Sequence, residues 1–237
     1  MQVTEVTDRF NLDYVVPFFQ PIMDLKNNAV WSYECLARVL TPEQNNYLPS
    51  ELLFLVDRQQ SVAQLTQSLF GRSASYFRDI NMAWNINLSL ADMTDSSTLK
   101  FLQAQLEHYP NPQRISIEIT AQNALAETAK FAQFCEICKL LGINIVIDNF
   151  DQQESDLQAI LCLPISAIKV SADLFDKVAK EPTQEDFIKG LICSATNNKI
   201  EVIAERIERQ DTLQLVKQLG VKYAQGFYFR HPMPSVD

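Results

Sequence analysis

Glycine is scarce in this 237-residue chain, with five in all. No Gly-rich turn follows a strand-like run, which removes the phosphate-binding fingerprint of open, doubly wound sheets. Histidine is scarcer still. His108 and His231 are the only two, which excludes a histidine-rich metal centre and leaves oxygen ligands, and so magnesium, manganese or calcium, for any metal. The five cysteines, Cys35, Cys135, Cys138, Cys162 and Cys193, are odd in number and spaced like no disulfide framework. Cys135 and Cys138 form a lone C-x-x-C inside a helical pattern, where buried small side chains are expected. No apolar run reaches a membrane-spanning length, and the start Met1-Gln2-Val3-Thr4-Glu5 lacks a basic or apolar signal region. A cytoplasmic location is expected on that ground. Positive charge is short as well. The chain carries 20 Lys and Arg against 29 Asp and Glu, a net charge of −9, and no basic run suited to bulk nucleic acid. A small anionic ligand fits that balance, because a few cations in a cleft hold a phosphate whatever the total charge.

What is present is a regular alternation. A hydrophobic fraction of 47% and a charged fraction of 21% suit one ordinary core. Strand-like runs are expected over 14–22, 30–39, 83–89, 114–120, 142–150, 165–170, 200–205 and 221–227. Helices are expected over 51–59, capped by Ser50, and over 62–77, 97–108, 122–141, 156–161, 172–179, 184–197 and 211–219. The proline-interrupted first strand, with Pro17 and Pro21, suits an edge or rim. The short turn over 24–28 makes a hairpin with the second strand and reverses one of the pair. The economical solution is an α/β fold: a single (β/α)8 TIM-like barrel over 1–237 with one antiparallel strand near the N-terminus. A doubly wound open sheet is the alternative.

The segment Gly142-Ile143-Asn144-Ile145-Val146-Ile147-Asp148-Asn149-Phe150 reads as a buried parallel strand delivering Asp148 to its carboxyl end, where barrels keep their sites. Alone it is as well explained by an Asx turn. Glu34, Glu118, Lys169, Glu205, Asn87 and Gln225 also fall at or near strand ends, however, and a closed barrel would gather them at one mouth. Glu34, Asn87, Glu118 and Asp148 make an oxygen cage suited to a hard divalent cation, with Lys169 beside it to orient a water or a phosphate. A Schiff-base role for Lys169 is disfavoured, because surrounding carboxylates keep its amine protonated.

These residues carry a resemblance to the EAL family of cyclic-di-GMP phosphodiesterases. Glu34-Cys35-Leu36-Ala37-Arg38 resembles the family signature, with cysteine in place of alanine. In family order, Gln20-Pro21-Ile22 resembles Q-P-I, Asn87-Leu88-Ser89 resembles N-L-S, and Glu118-Ile119-Thr120 resembles E-L-T. Asp148-Asn149-Phe150 resembles D-D-F, Ile168-Lys169-Val170 resembles L-K-I, Ala204-Glu205-Arg206-Ile207-Glu208 resembles A-E-G-V-E, and Gln225-Gly226-Phe227 resembles Q-G-F. The resemblance implies a bacterial signalling barrel that binds cyclic-di-GMP, and in active members hydrolyses it to the linear dinucleotide with metal-activated water. It implies a first magnesium or manganese on Glu34, Asn87, Glu118 and Asp148, and a second on Asp148, position 149 and Glu205. Lys169 assists the attacking water, Glu205 belongs to the catalytic set, and Gln20, Arg38 and Gln225 serve the ligand. It further implies a homodimer or a regulatory protein partner.

The departures from the pattern bear on activity. Asn149 replaces Asp, Ala121 replaces the glutamate after E-L-T, Ser171 replaces the aspartate after L-K-I, and Arg206 replaces the glycine of A-E-G-V-E. The Gly- and Ser-containing loop after D-D-F is Asp151-Gln152-Gln153-Glu154-Ser155-Asp156, in which Asp151 or Glu154 are candidate substitute ligands. Losing one unit charge about 4 Å from another is worth about 4 kcal/mol at an effective dielectric of 20, roughly a thousandfold in affinity. One metal position is therefore expected to survive better than the other. The leading expectation is a divergent EAL domain that binds cyclic-di-GMP with weak or no hydrolysis. An active phosphodiesterase and a protein-interaction module without nucleotide are the alternatives.

Overall fold

The computed structural model describes residues 12–40, 62–150, 154–178 and 181–236. Its strands close into one eight-stranded barrel in chain order. β1 (Val15–Asp24) and β2 (Ala29–Val39) form the expected hairpin, with the Asp24 carboxylate accepting from the amides of Lys26 and Asn27 in the turn. β3 (Ala83–Asn87), β4 (Ile115–Thr120), β5 (Asn144–Phe150), β6 (Ala167–Ser171), β7 (Glu201–Glu205) and β8 (Tyr223–Gln225) continue parallel to β2. β1 is antiparallel to β2 and to β8, so one strand is reversed, as the hairpin required. The barrel has no free edge for the prolines. They are tolerated because β1 pairs with β8 over Ile22–Asp24 and then meets an isolated bridge from Phe19 to Met233, which asks no amide of Pro17 or Pro21.

Described helices cover the outside: α1 (Val62–Phe77), α2 (Leu90–Thr94), α3 (Ser96–Leu106), α4 (Ala121–Ala126), α5 (Thr128–Leu141), α6 (Glu154–Leu161), α7 (Ala172–Val178), α8 (Pro182–Asn197) and α9 (Gln210–Gln218). The expected helix over 51–59, its Ser50 cap and Asp151 lie outside the described residues, as does the side chain of Glu154.

Strand alternation sorts the side chains into two layers. On β4, Ile115, Ile117 and Ile119 face the helices and share a core with Phe131, Phe134, Cys135 and Cys138 of α5. Between them, Glu118 faces inward. Inside the barrel Ile22, Val146, Ala167 and Ile203 form a separate apolar cluster, sealed toward the amino ends of β2 and β8 by the rings of Trp31 and Tyr223, stacked with centroids 4.2 Å apart. Polar side chains thus occupy the opposite, carboxyl half of the barrel. Cys135 and Cys138 are free and buried, and burial pushes the Cys135 thiol up to about 12, consistent with a packing role.

Three expected elements are corrected. The single helix over 122–141 is two, broken at Glu127, whose φ of −136° and ψ of 54° leave the helical region. The strand over 83–89 stops at Asn87, because Ser89 opens α2 through a capping box with Asp92. The last strand shortens to three residues, because Gly226 turns the chain away at φ 155°.

Candidate functional site

Glu34 and Lys169 lie inside β2 and β6 rather than at their ends. Facing inward from β6, the Lys169 ammonium donates to Glu118 Oε2 at 2.6 Å and to Glu34 Oε2 at 2.9 Å, and stands 3.9 Å from Asp148 Oδ1. Each carboxylate is held from behind. Asn85 Nδ2 donates to Glu118 Oε1 at 2.8 Å, and Ser32 Oγ donates in turn to Asn85 Oδ1. Asn87 Nδ2 and Gln225 Nε2 donate to the two oxygens of Glu34, both at 2.7 Å. Gln225 also reaches Gln20 Oε1, and Gln20 Nε2 donates to the carbonyl of Arg230. The period of two explains the membership. Ser32 with Glu34, and Asn85 with Asn87, share the inward face of their strands, and this spacing was the sequence signal for Ser32 and Asn85, which the strand-end reading missed.

The charges are unequal in consequence. Burial opposes the ammonium of Lys169, but the carboxylates of Glu118, Glu34, Asp148 and Glu205 outweigh it and hold its pKa well above the usual lysine range. Burial raises Glu34, yet Lys169 and the donors Asn87 and Gln225 overcome it and keep Glu34 below the usual carboxylate range. Glu118, fully enclosed and facing the charge of Glu34, is raised well above that range.

Asp148 and Glu205 form the next group toward the rim. Asp148 sits in an irregularity of the β5–β6 ladder between Ile147 and Phe150, which turns it toward the mouth. Burial raises its pKa, and burial together with the charge of Asp148 pushes Glu205 up to about 7. Among the described residues, Glu205 Oε1 is buried without a hydrogen bond. The guanidinium of Arg206 stands 4.0 Å from it, an ion-pair distance too long for a hydrogen bond. Arg206 Nη2 donates to Asn149 Oδ1 at 2.9 Å and to Ser171 Oγ at 2.8 Å, and Nη1 lies 3.8 Å from Asp173 Oδ2. Asn149 and Arg206 both adopt left-handed backbone, at φ 52° and 58°, immediately after a site carboxylate. Such backbone costs on the order of 1 kcal/mol for a residue with a Cβ, and the Arg206 contacts offset that cost.

A cavity of about 330 Å³ opens above these groups. Gln20, Glu34, Arg38, Glu205, Arg206, Glu208 and Gln225 supply its polar wall, and Leu36, Phe227 and Pro232 its apolar part. Arg38 is half-buried, and its Nη1 donates to the adjacent Ala37 carbonyl. Phe227 is 51% exposed and packs on the His231 ring at 4.1 Å.

Residues 4–232 match the EAL domain family. The chain belongs to that family. Among curated relatives, the cyclic di-GMP phosphodiesterase PdeR of Escherichia coli is 27% identical over 237 residues, 94% of this chain. The chain spans 35% of the length of PdeR. Among solved structures, the PaMucR phosphodiesterase in complex with c-di-GMP superposes with a TM-score of 0.86 at 19% identity, covering 99% of this chain and 98% of that one. The EAL domain of FimX from Pseudomonas aeruginosa, bound to c-di-GMP, also gives 0.86, at 20% identity and with coverage of 99% and 96%.

The two metal positions implied for an EAL domain fare differently here. Among the described residues no three carboxylate, histidine or cysteine side chains stand together closely enough to hold a metal ion. At the first position Glu34, Asn87, Glu118 and Asp148 still converge, and their oxygens are the donors a hard cation takes. The ammonium of Lys169 stands at their centre, and binding an ion requires it to shift and the Asn87 amide to turn its oxygen inward. Gln225 Oε1, buried and without a hydrogen bond among the described residues, is one further oxygen beside this group. The residues of the second position do not fit. Asn149 is neutral, its oxygen is engaged by Arg206, and a fixed positive charge faces Glu205.

Gly226 holds the rim together. A Cβ there would meet the Ile207 carbonyl oxygen at 2.1 Å, while Ile207 N donates to the Gln225 carbonyl at 3.0 Å. Gly226→Ala is therefore expected to destabilise the fold by roughly 2–3 kcal/mol and to displace Gln225 from Glu34. Urea unfolding measures the first effect; an unchanged midpoint would show that the rim yields without cost.

Proposed function

We propose that this EAL domain binds cyclic-di-GMP at the mouth of the barrel and acts in signalling with weak or no hydrolysis. The observation that carries this reading is the contrast between two neighbouring groups. The network of Glu34, Asn87, Glu118, Asp148 and Lys169 is complete, while the adjacent Asn149–Arg206 pair has a neutral amide and a guanidinium where hydrolysis needs ligands for a second cation. Binding is further supported by the cavity, which offers Arg38 and Arg206 to phosphate oxygens and the exposed Phe227 ring to a base. Relatives solved with c-di-GMP share the fold.

A divalent ion, magnesium or manganese, would be held by Glu34, Asn87, Glu118 and Asp148, and supplies Lewis-acid polarisation of a phosphoryl oxygen when bound. Lys169 keeps its proton at neutral pH, so its part is electrostatic: it balances the carboxylates and presents N–H groups to a phosphate or a water. Arg38 and Arg206 orient the ligand. Hydrolysis, by contrast, requires a second site that clamps the attacking and leaving oxygens together. Interactions that bind ground state and transition state alike survive its loss, whereas rate does not.

The test is a magnesium- and manganese-supplemented hydrolysis assay on cyclic-di-GMP with binding measured on the same samples. Saturable binding with no linear product above background is expected. Turnover comparable to an active phosphodiesterase would favour the alternative reading, to which the intact Glu34–Lys169 group points. Absence of binding at high micromolar ligand would favour a protein-interaction module and overturn the proposal.

A further inference from the structure

Asn149, Ser171 and Arg206 depart from the EAL pattern at positions far apart in the sequence, yet they form one cluster. They lie at the carboxyl ends of β5, β6 and β7, which are consecutive in the barrel. The Arg206 guanidinium bridges the other two at 2.9 and 2.8 Å and faces Asp173 and Glu205 with its remaining nitrogens. Two of the three positions have lost a carboxylate and the third has gained a cation, so every change makes the cluster more positive than the EAL pattern. The contacts use Nη2. Among the described residues, Nη1 and Nε make no hydrogen bond, and the side chain is 52% exposed on the wall of the cavity. A guanidinium on the cavity wall, anchored from behind through Nη2 and with Nη1 and Nε still able to donate, suits single charge-assisted contacts to phosphate oxygens.

We infer that the Arg206 guanidinium is a built-in cation that stands in place of a second divalent ion and binds a phosphate group of the dinucleotide, making that part of ligand recognition independent of metal. This rests on the cyclic-di-GMP reading for the ligand, but not for the statement about the ion. A divalent cation brought between Asn149 and Glu205 would meet a guanidinium, whose charge cannot be removed by deprotonation. The anchoring also explains the substitution at Ser171. An aspartate there would add a third carboxylate beside Arg206, next to Asp173 and Glu205, whereas the Ser171 hydroxyl accepts from Arg206 Nη2 and adds no negative charge.

Two measurements on the intact chain separate the two statements. Manganese binding without nucleotide, counted by electron paramagnetic resonance, is expected to give at most one ion in the native protein. One ion more is expected in the triple variant Asn149→Asp, Ser171→Asp, Arg206→Gly. Two ions in the native protein, or equal counts in both, would overturn the inference. Calorimetry with cyclic-di-GMP in excess EDTA is expected to show binding by the native protein, at least tenfold weaker binding by Arg206→Gly, and partial retention by Arg206→Lys. Equal affinity of the native protein and Arg206→Gly would overturn it. Glycine is favourable at this left-handed backbone position, so loss of binding in Arg206→Gly is not a failure to fold. If neither form binds cyclic-di-GMP under any metal condition, the reading of the ligand fails while the manganese count still decides whether Arg206 replaces an ion.

Discussion

Replacing Lys169 with methionine is expected to lower the unfolding free energy of the metal-free protein by roughly 3–5 kcal/mol at neutral pH, the range for removing one partner of a buried ion pair. The side chain is 1% exposed and its ammonium is the cation that Glu34 and Glu118 contact directly. Methionine preserves much of the volume, so the loss reports on charge rather than on a cavity. The pH dependence has a definite sign. The folded pKa of Lys169 is raised, so its contribution is fully present below about pH 10.4, the unperturbed value, and is lost only as pH rises through the folded one. Glu34 has a lowered folded pKa, so its contribution is present above its ordinary carboxylate range and is lost as pH falls through the folded value. In the variant the enclosed carboxyls lose their counter-ion and shift upward, which makes acid favour the folded form. The difference between native and variant therefore shrinks on acidification. Urea unfolding at pH 5 and at pH 7.5 checks this; equal stability of the two proteins at pH 7.5 would contradict the role given to Lys169.

Glu205→Gln is expected to act in the opposite direction. Glu205 has its pKa raised from 4.5 to about 7 by burial and by Asp148, so its ionisation is unfavourable in the folded state. A raised carboxyl pKa means that stability is fully present below the unfolded value and declines as pH rises through the folded one. Between those limits the native protein loses roughly 3 kcal/mol, and the amide variant does not. Asp148 and Glu205 titrate as a pair, so part of the gain appears as a fall in the pKa of Asp148. The variant should be more stable than the native protein at pH 8 and nearly equal to it at pH 4.5. Parallel stability curves across that window would show that the Arg206 guanidinium already compensates the Glu205 charge.

Much of this site was legible in the sequence because barrels convert strand position into spatial position. Glu118, Asp148, Lys169, Glu205 and Gln225 were read from separate strands and do converge, with the hairpin bringing Glu34 and Gln20 opposite one another. What was not legible was depth. Strand ends cannot be told from strand interiors without the ladder register: Glu34 and Lys169, expected at or near strand ends, lie inside β2 and β6, where Lys169 meets the carboxylates. Arg206 was visible only as a departure from a glycine. Its reach to Asn149 and Ser171 depends on the left-handed backbone at 206 and on the adjacency of β5, β6 and β7, and only the second of these follows from strand order. The short helix α2 was missed for a local reason: Ser89 and Asp92 form a capping box that competes with extension of β3.

The most direct test of the central claim is a phosphorus NMR spectrum of cyclic-di-GMP incubated with the protein and magnesium, since one measurement reads both binding and cleavage. The expected result is a saturable change in the phosphodiester resonance with no phosphomonoester signal after long incubation. A growing monoester signal would mean that the site hydrolyses its ligand despite Asn149 and Arg206. A phosphodiester resonance untouched by excess protein would mean that the mouth of this barrel does not take the dinucleotide.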